Sequence, residues 1–426
     1  MGGSANYLVR TGRASSDCRG NGPQPCLSPC LPAFALNCRI TPPATYFTGD
    51  QTKLTFDFST VFPGPDQRTD VSYAALPLTA WTDFLLTRGA SFDGVAVVTF
   101  GNAESELAAA RDAAIVCDLG PLAVLRVAGP DAASFLQGQV TSDVQALAPG
   151  SVQLSAWCSP KGRVLANFIV RRIDAEHFEL LLPRLLLESV RKRLSMFVLR
   201  SKVVIDDASD QSVRIGIGGP VALQCIAAAG GSAPAPYRSA AIDGGTIATL
   251  PGSRFIAFVA PAGAPALWDR LNGVRAAGFP CWRWLTIRAG VPMILPPTQD
   301  QFIPQMINLD ALGGISFEKG CYAGQEIVAR TRYLGRLKER LALGHGDIVP
   351  APGARLYAPA FGDQPCGTVI NANAAPGGGG EFLFVAQMTA ITGGLLRLDA
   401  VDGPAVSLLP LPYALPEAAA PRGRIA

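Results

Sequence analysis

After Arg340 the chain breaks into six short segments of alternating polarity, RLALGH, ARLYAP, GTVINA, EFLFVAQM, LLRLDAV and AVSLLPLP, parted by Gly, Pro and Asn. A period of two turns every second side chain to one face, and the intervening residues reverse the chain. Six such strands without helices leave a small antiparallel barrel or sandwich as the solution for residues 341–416, with 376–380 as a loose loop and 417–426 as a tail.

Upstream, from Leu78 to Arg340, helices and strands are mixed, so the fold class is α+β. Trp81, Phe84, Leu85 and Leu86 give a short amphipathic helix, DGVAVVTF a strand, and Asn102 an N-cap for a helix over 103–112. LAVLRVAG is a strand and DAASFLQ a short helix after Gly129-Pro130. VQLSAWC and VLANFIVRR form a hairpin through Ser159-Pro160-Lys161-Gly162, and FELLL adds a third strand. Pro183 opens a helix with Leu186, Leu187, Val190, Leu194 and Phe197 on its apolar face; Arg191, Lys192 and Arg193 read as its solvated face. SKVVIDD and VRIGIGG are strands, 227–236 is a loop, and a further αβ unit runs through ALWDRLNGVRAAG to WRWLTIRAGVP.

At 426 residues the chain exceeds one ordinary domain. Residues 1–77 mix Arg, Ser, Gly, Pro and Cys without periodicity, and read as a disordered or non-native extension. A net charge of +3 gives no whole-protein argument for nucleic acid, and FELLLPRLLLESV is cut by Pro183, Arg184 and Glu188, so no membrane span is expected. With no secretory pattern at the N-terminus, a soluble cytoplasmic protein is the expectation. Two histidines, His177 and His345, are too few for a multi-histidine metal site. Among ten cysteines, Cys18, Cys26, Cys30 and Cys38 cluster with a spacing that fits no zinc or iron–sulfur template. The others are scattered singly, as in a reducing compartment, and no stably bound metal is expected.

Chemistry concentrates in QFIPQMINLDALGGISFEKGCYAGQEIVARTRYLG, residues 301–335. Cys321 stands between Gly320 and Gly324, residues that permit turns or close approaches a Cβ would block. Ile327, Val328, Thr331 and Leu334 then recur at helical spacing, and Gly335 is placed to end that helix. Cys321 therefore reads as a thiol in a tight turn at or just before a helix N-terminus, with the dipole and Lys319 favouring its thiolate. Packing as a small buried hydrophobe is the alternative.

FEKGCYAGQE, QGQVTSDV and SPKGR taken together resemble the YgfZ family of folate-binding proteins, which is related in fold to the aminomethyltransferase of the glycine cleavage system. The likeness runs from about Leu78 to Leu415, including the closing LPLPYAL. The family pattern K-G-C-[FY]-x-G-Q-E is met by Lys319, Gly320, Cys321, Tyr322, Gly324, Gln325 and Glu326. The resemblance implies a ring-like set of α/β subdomains over 78–340 around a tetrahydrofolate cleft, followed by the barrel. Trp282 matches a tryptophan of the family's folate site, and Leu122 stands where a second family tryptophan would be. Gln301, Phe302 and Pro304 are expected, from the resemblance alone, to line the same cleft.

The transferases carry G-G-I-x-D-D in the second hairpin strand and a glutamate in R-x-E-A-G near the position of WLTIRAG; this chain has Gly162-Arg163-Val164-Leu165-Ala166-Asn167 and Arg288 instead. Loss of those carboxylates removes the electrostatic support for a cationic folate centre and disfavours methylene transfer. The leading expectation is a folate-dependent accessory protein for iron–sulfur cluster assembly or repair, affecting tRNA-modifying cluster enzymes. Cys321 is its working thiol, as nucleophile, redox group or transient ligand. Lys319 supplies charge, and Gln325 and Glu326 fix the turn. Expected partners are folate and, transiently, iron–sulfur enzymes or assembly proteins, without direct contact to nucleic acid. A tetrahydrofolate-dependent one-carbon transferase and a non-catalytic folate-binding scaffold are the alternatives.

Overall fold

The computed structural model describes residues 80–333 and 337–416. The N-terminal extension with its cysteine cluster, the last ten residues, and Leu334 and Gly335 at the expected helix end lie outside the described residues.

The first helix, Ala80–Thr87, buries Trp81 and Leu85, and Trp81 Nε1 donates to Asp118 Oδ1 at 2.8 Å. Asn102 caps helix Ala103–Asp112 as its side chain predicts, its Oδ1 accepting from Ser105 N. A five-stranded antiparallel sheet runs in the order Ser151–Cys158, Val164–Arg172, His177–Pro183, Leu122–Ala128, Val204–Asp207. Helix Arg184–Ser195 follows Pro183 and buries the apolar stripe Leu186, Leu187, Val190 and Leu194.

A second sheet has six strands, in the order Ser239–Ile242, Gly245–Leu250, Arg254–Val259, Val213–Gly218, Ile115–Asp118, Arg275–Ala276, with the last pair parallel. The stretch read as a loop over 227–236 begins as the end of helix Ala222–Ala228. Its alanines satisfy a helix without showing a periodic apolar face, so pattern alone misses it. Helix Phe279–Arg288 packs on this sheet and buries Trp282, Trp284 and Leu285. A Cβ on Gly216 would stand 2.8 Å from Trp282 Cε3, so the strand needs glycine there to seat the indole.

All six C-terminal segments are strands of one closed barrel, ordered Glu339–Gly346, Gly380–Gln387, Gly367–Ala374, Arg355–Tyr357, Leu396–Leu398, Ala405–Leu409. Closure leaves no free sheet edge. A short α-helix, Met388–Gly393, and a 3-10 turn, Pro359–Phe361, interrupt the expected run of strands. Trp284 Nε1 donates to Glu381 Oε2 at 3.0 Å and ties the long helix to the barrel. The closing LPLPYAL segment is clasped the same way: Tyr413 Oη donates to Gly290 O at 2.7 Å.

Candidate functional site

The three segments that carry the family resemblance lie against one another. Lys319 is buried, and its ammonium donates to the carbonyls of Gln137 and Val140 at 2.6 Å and of Ser142 at 3.0 Å, all within QGQVTSDV. It also sits 5.0 Å from the centre of the Tyr322 ring. Gly324, at φ +79°, faces the SPKGR turn so closely that a Cβ would meet Ser159 O at 2.5 Å and Gly162 Cα at 2.7 Å. QFIPQ is laid alongside that turn: Val164 N donates to Phe302 O, Asp300 N donates to Val164 O, and Ser159 Oγ donates to Asp300 Oδ1. Gln305 Nε2 donates to Val328 O, fastening helix Gln325–Tyr333 to the same segment.

Cys321 stands at the outside of this knot, four residues before the helix begins, and is exposed. The other cysteines among the described residues are buried or half-buried. Two expectations about its neighbours change. Lys319 does not serve the thiol: its three donor hydrogens are engaged by carbonyls about 180 residues away in the chain. The turn is not fixed by the side chains of Gln325 and Glu326, which form no hydrogen bond among the described residues; the backbone bond from Gln325 N to Tyr322 O closes it. Gly320 has open space around it and is a solvent-side residue, whereas Tyr322 is buried.

Trp282 and Leu122 do share a cleft, of ≈ 40 Å³, with Asn167, Arg254, Thr286 and Met293. Gln301, Phe302 and Pro304 do not line it. Gln301 Nε2 donates to Pro297 O, its own carbonyl accepts from Arg163, and Phe302 packs in the core beneath the hairpin. Trp282 is only 1% exposed and belongs to the core of the second sheet, with the Arg254 guanidinium 5.3 Å from its ring centre. Arg254 is the residue sequence reasoning missed. It is buried, donates to Pro251 O and Thr286 Oγ1, and is paired with no carboxylate among the described residues. Burial lowers its pKa to about 10, so it stays cationic at neutral pH. Nothing in RFIAFV signals this, because a charged residue at the start of a strand ordinarily faces water.

A second cavity, of ≈ 430 Å³, shares Leu154 with the cleft and is lined also by Gln153, Tyr237, Arg238, Leu312 and Ser316. Of the two positions where the transferases carry aspartates, Ala166 points into the core and Asn167 into the cleft. The Asn167 amide is committed at both ends: Nδ2 donates to Pro292 O and Oδ1 accepts from Ile294 N, each at 2.8 Å. Arg288 lies 3.6 Å from Glu381 of the barrel and does not line the cleft. An aspartate at 167 could not donate to Pro292 O. Asn167→Asp is therefore expected to cost about 1–3 kcal/mol in urea denaturation at pH 7 and to produce no aminomethyl transfer.

Among the described residues no group of three or more His, Cys, Asp or Glu side chains could hold a metal ion, and no helix is long and apolar enough to cross a membrane.

The family model for the GCVT N-terminal domain matches residues 83–250. The chain is 34% identical over 320 residues to the tRNA-modifying protein YgfZ of Cronobacter sakazakii, covering 73% of this chain and 96% of the relative. It is 35% identical over 251 residues to the protein of that name from Escherichia fergusonii, covering 58% and 76%. The glycine cleavage system aminomethyltransferase T of Bartonella henselae shares the fold, with a TM-score of 0.62 at 16% identity over 80% of this chain and 97% of that one.

Proposed function

The chain belongs to the YgfZ family, and from that premise we propose that it is a folate-dependent accessory protein for assembly or repair of iron–sulfur clusters, acting on tRNA modification through cluster-bearing enzymes. The observation that carries this reading is the presentation of Cys321, an exposed thiol on a backbone that three separate segments hold rigid. One thiolate cannot hold a cluster by itself, so a cluster bound here is shared with a partner protein and passes on as its ligands exchange. Rigidity matters because a ligand held in place loses little entropy when the cluster arrives.

The groups around Trp282 suit a pterin. Arg254 offers donors to a ring carbonyl, the indole and Leu122 offer apolar walls, and no carboxylate among the described residues competes for the guanidinium. The cleft is smaller than the roughly 300 Å³ of an ordinary ligand pocket, and a bound folate would extend past Leu154 into the second cavity. Arg238, exposed in that cavity, would meet the carboxylates of a folate tail. The folate supplies one-carbon or redox chemistry when bound; this chain's residues bind and orient it. Methylene transfer is the weaker reading, because Asn167 is locked as an amide and Arg288 faces the barrel.

The test is complementation. In a bacterium lacking its own YgfZ protein, the full chain is expected to restore cluster-dependent tRNA modification, and Cys321→Ala to lose that rescue while melting at the same temperature. Undiminished rescue by Cys321→Ala would remove the thiol from the function.

A further inference from the structure

The basic trio on helix Arg184–Ser195 reads as a solvated face, yet its continuation is unlike one. Residues 191–204, RKRLSMFVLRSKVV, hold five cations and no acid, in a chain whose whole net charge is +3. Arg191 pairs with Glu188; Lys192, Arg193, Arg200 and Lys202 form no ion pair among the described residues. Between them stand exposed apolar side chains, Met196 at 64% and Leu199 at 88%, with Phe197 and Val204 beside them. Such side chains on a floppy loop would need no explanation. These are fixed. Phe197 N, Val198 N and Ser201 N donate to Leu194 O, Ser195 O and Val198 O, and Lys202 N donates to Asp131 Oδ2 at 2.7 Å. The Phe197 ring meets Trp157 edge-on at 6.2 Å, and Arg193 lies 5.5 Å from the same indole. Leu199 itself is held at φ +45°, a conformation that costs a leucine about 1–2 kcal/mol and here turns its side chain fully outward.

We propose that this knuckle is the docking surface for an acidic protein, which covers Met196 and Leu199 with an apolar side chain and meets Arg193, Arg200 and Lys202 with carboxylates. Charge complementarity chooses the occupant: four cations without an ion-pair partner among the described residues, set around an apolar centre, match an acidic rim around an apolar anchor. Single-stranded RNA would call for an aromatic platform, and the ring available, that of Phe197, is turned onto Trp157. The knuckle also adjoins the thiol loop, since Trp157 runs into the Ser159–Gly162 turn against which Gly324 lies. The proposal deepens the reading above and rests on it for the partner's purpose, although the surface stands on its own geometry.

The test places a photo-crosslinking benzoylphenylalanine at Met196, whose φ of −66° suits any L-residue, in the full chain inside the complemented bacterium. The expected product is a covalent adduct with a protein segment rich in Asp and Glu. It should fall at least tenfold when Arg193→Glu and Arg200→Glu are combined. It should fall similarly with Leu199→Asn, which suits the left-handed backbone and leaves the fold intact. An adduct with RNA or lipid overturns the proposal, as does one with a segment lacking acidic excess, one indifferent to these substitutions, or no adduct at all. The readout is a mass, independent of folate and of Cys321, so its failure removes this surface without touching the proposed function.

Discussion

Gly324→Ala is expected to destabilise the fold by about 3 kcal/mol or more, while Gly320→Ala, four residues earlier in the same motif, changes stability by less than about 0.5 kcal/mol. A Cβ at 324 has to adopt φ +79° and lies 2.5 Å from a backbone oxygen and 2.7 Å from Gly162 Cα. Neither neighbour can swing away, because Gly162 N donates to Ser159 O within the turn and Ser159 N donates to Arg163 O. The left-handed backbone alone costs about 1–2 kcal/mol, and separating the two loops exposes Tyr322 and frees helix Gln325–Tyr333. At 320 a Cβ would meet nothing within 4 Å. Urea denaturation of the two variants side by side measures the difference, and equal midpoints would mean that the motif and the turn do not interlock.

Lys319→Met is expected to be comparably severe. It leaves three carbonyls without their donor, two of them in buried contacts that cost about 1–3 kcal/mol each before relaxation, and releases QGQVTSDV from the thiol loop. Its pH signature separates this role from charge supply to Cys321. Burial lowers the Lys319 pKa from the ordinary 10.5 to about 8. Between those values the unfolded chain holds the proton more firmly than the folded one, so this residue makes stability rise as pH increases from about 8 to 10.5. Denaturant midpoints across that window should climb in the parent chain and lose that climb in Lys319→Met.

Much of the fold was legible because its signals are local. Alternation with a period of two marked all six barrel strands, Asn102 marked a helix start, and Pro183 marked another. Each motif at the site could be recognised on its own. What linear reasoning could not supply was which motif touches which. Lys319 is two residues from Cys321 and was assigned to it, but a buried ammonium goes where carbonyls converge, and those belong to residues 137–142. Gln301, Phe302 and Pro304, expected at the cleft through the resemblance, do not line it: Phe302 packs in the core and Gln301 bonds to Pro297 O at the surface. Trp282, expected at the folate site through the resemblance, lines a small cleft as a packed core ring with a guanidinium at its face. Asn167 and Arg254 escaped notice as contributors because one looked like a lost carboxylate and the other like an ordinary strand-end charge.

The packing of Trp282 also decides how the proposed folate site should be probed. Truncating a tryptophan that is 1% exposed removes about 3–5 kcal/mol of core packing, and lost binding would then report a damaged fold. Arg254→Met is cleaner: it deletes a buried charge that has no counter-ion among the described residues while keeping an apolar side chain against the indole. The direct measurement is calorimetric titration of tetrahydrofolate into the full chain and into Arg254→Met. Saturable one-to-one binding is predicted for the parent chain, with affinity at least tenfold lower (about 1.4 kcal/mol) in the variant and thermal stability unchanged within a few degrees. Absence of binding to the parent chain, or equal affinity in both, would contradict a pterin site at Arg254 and Trp282.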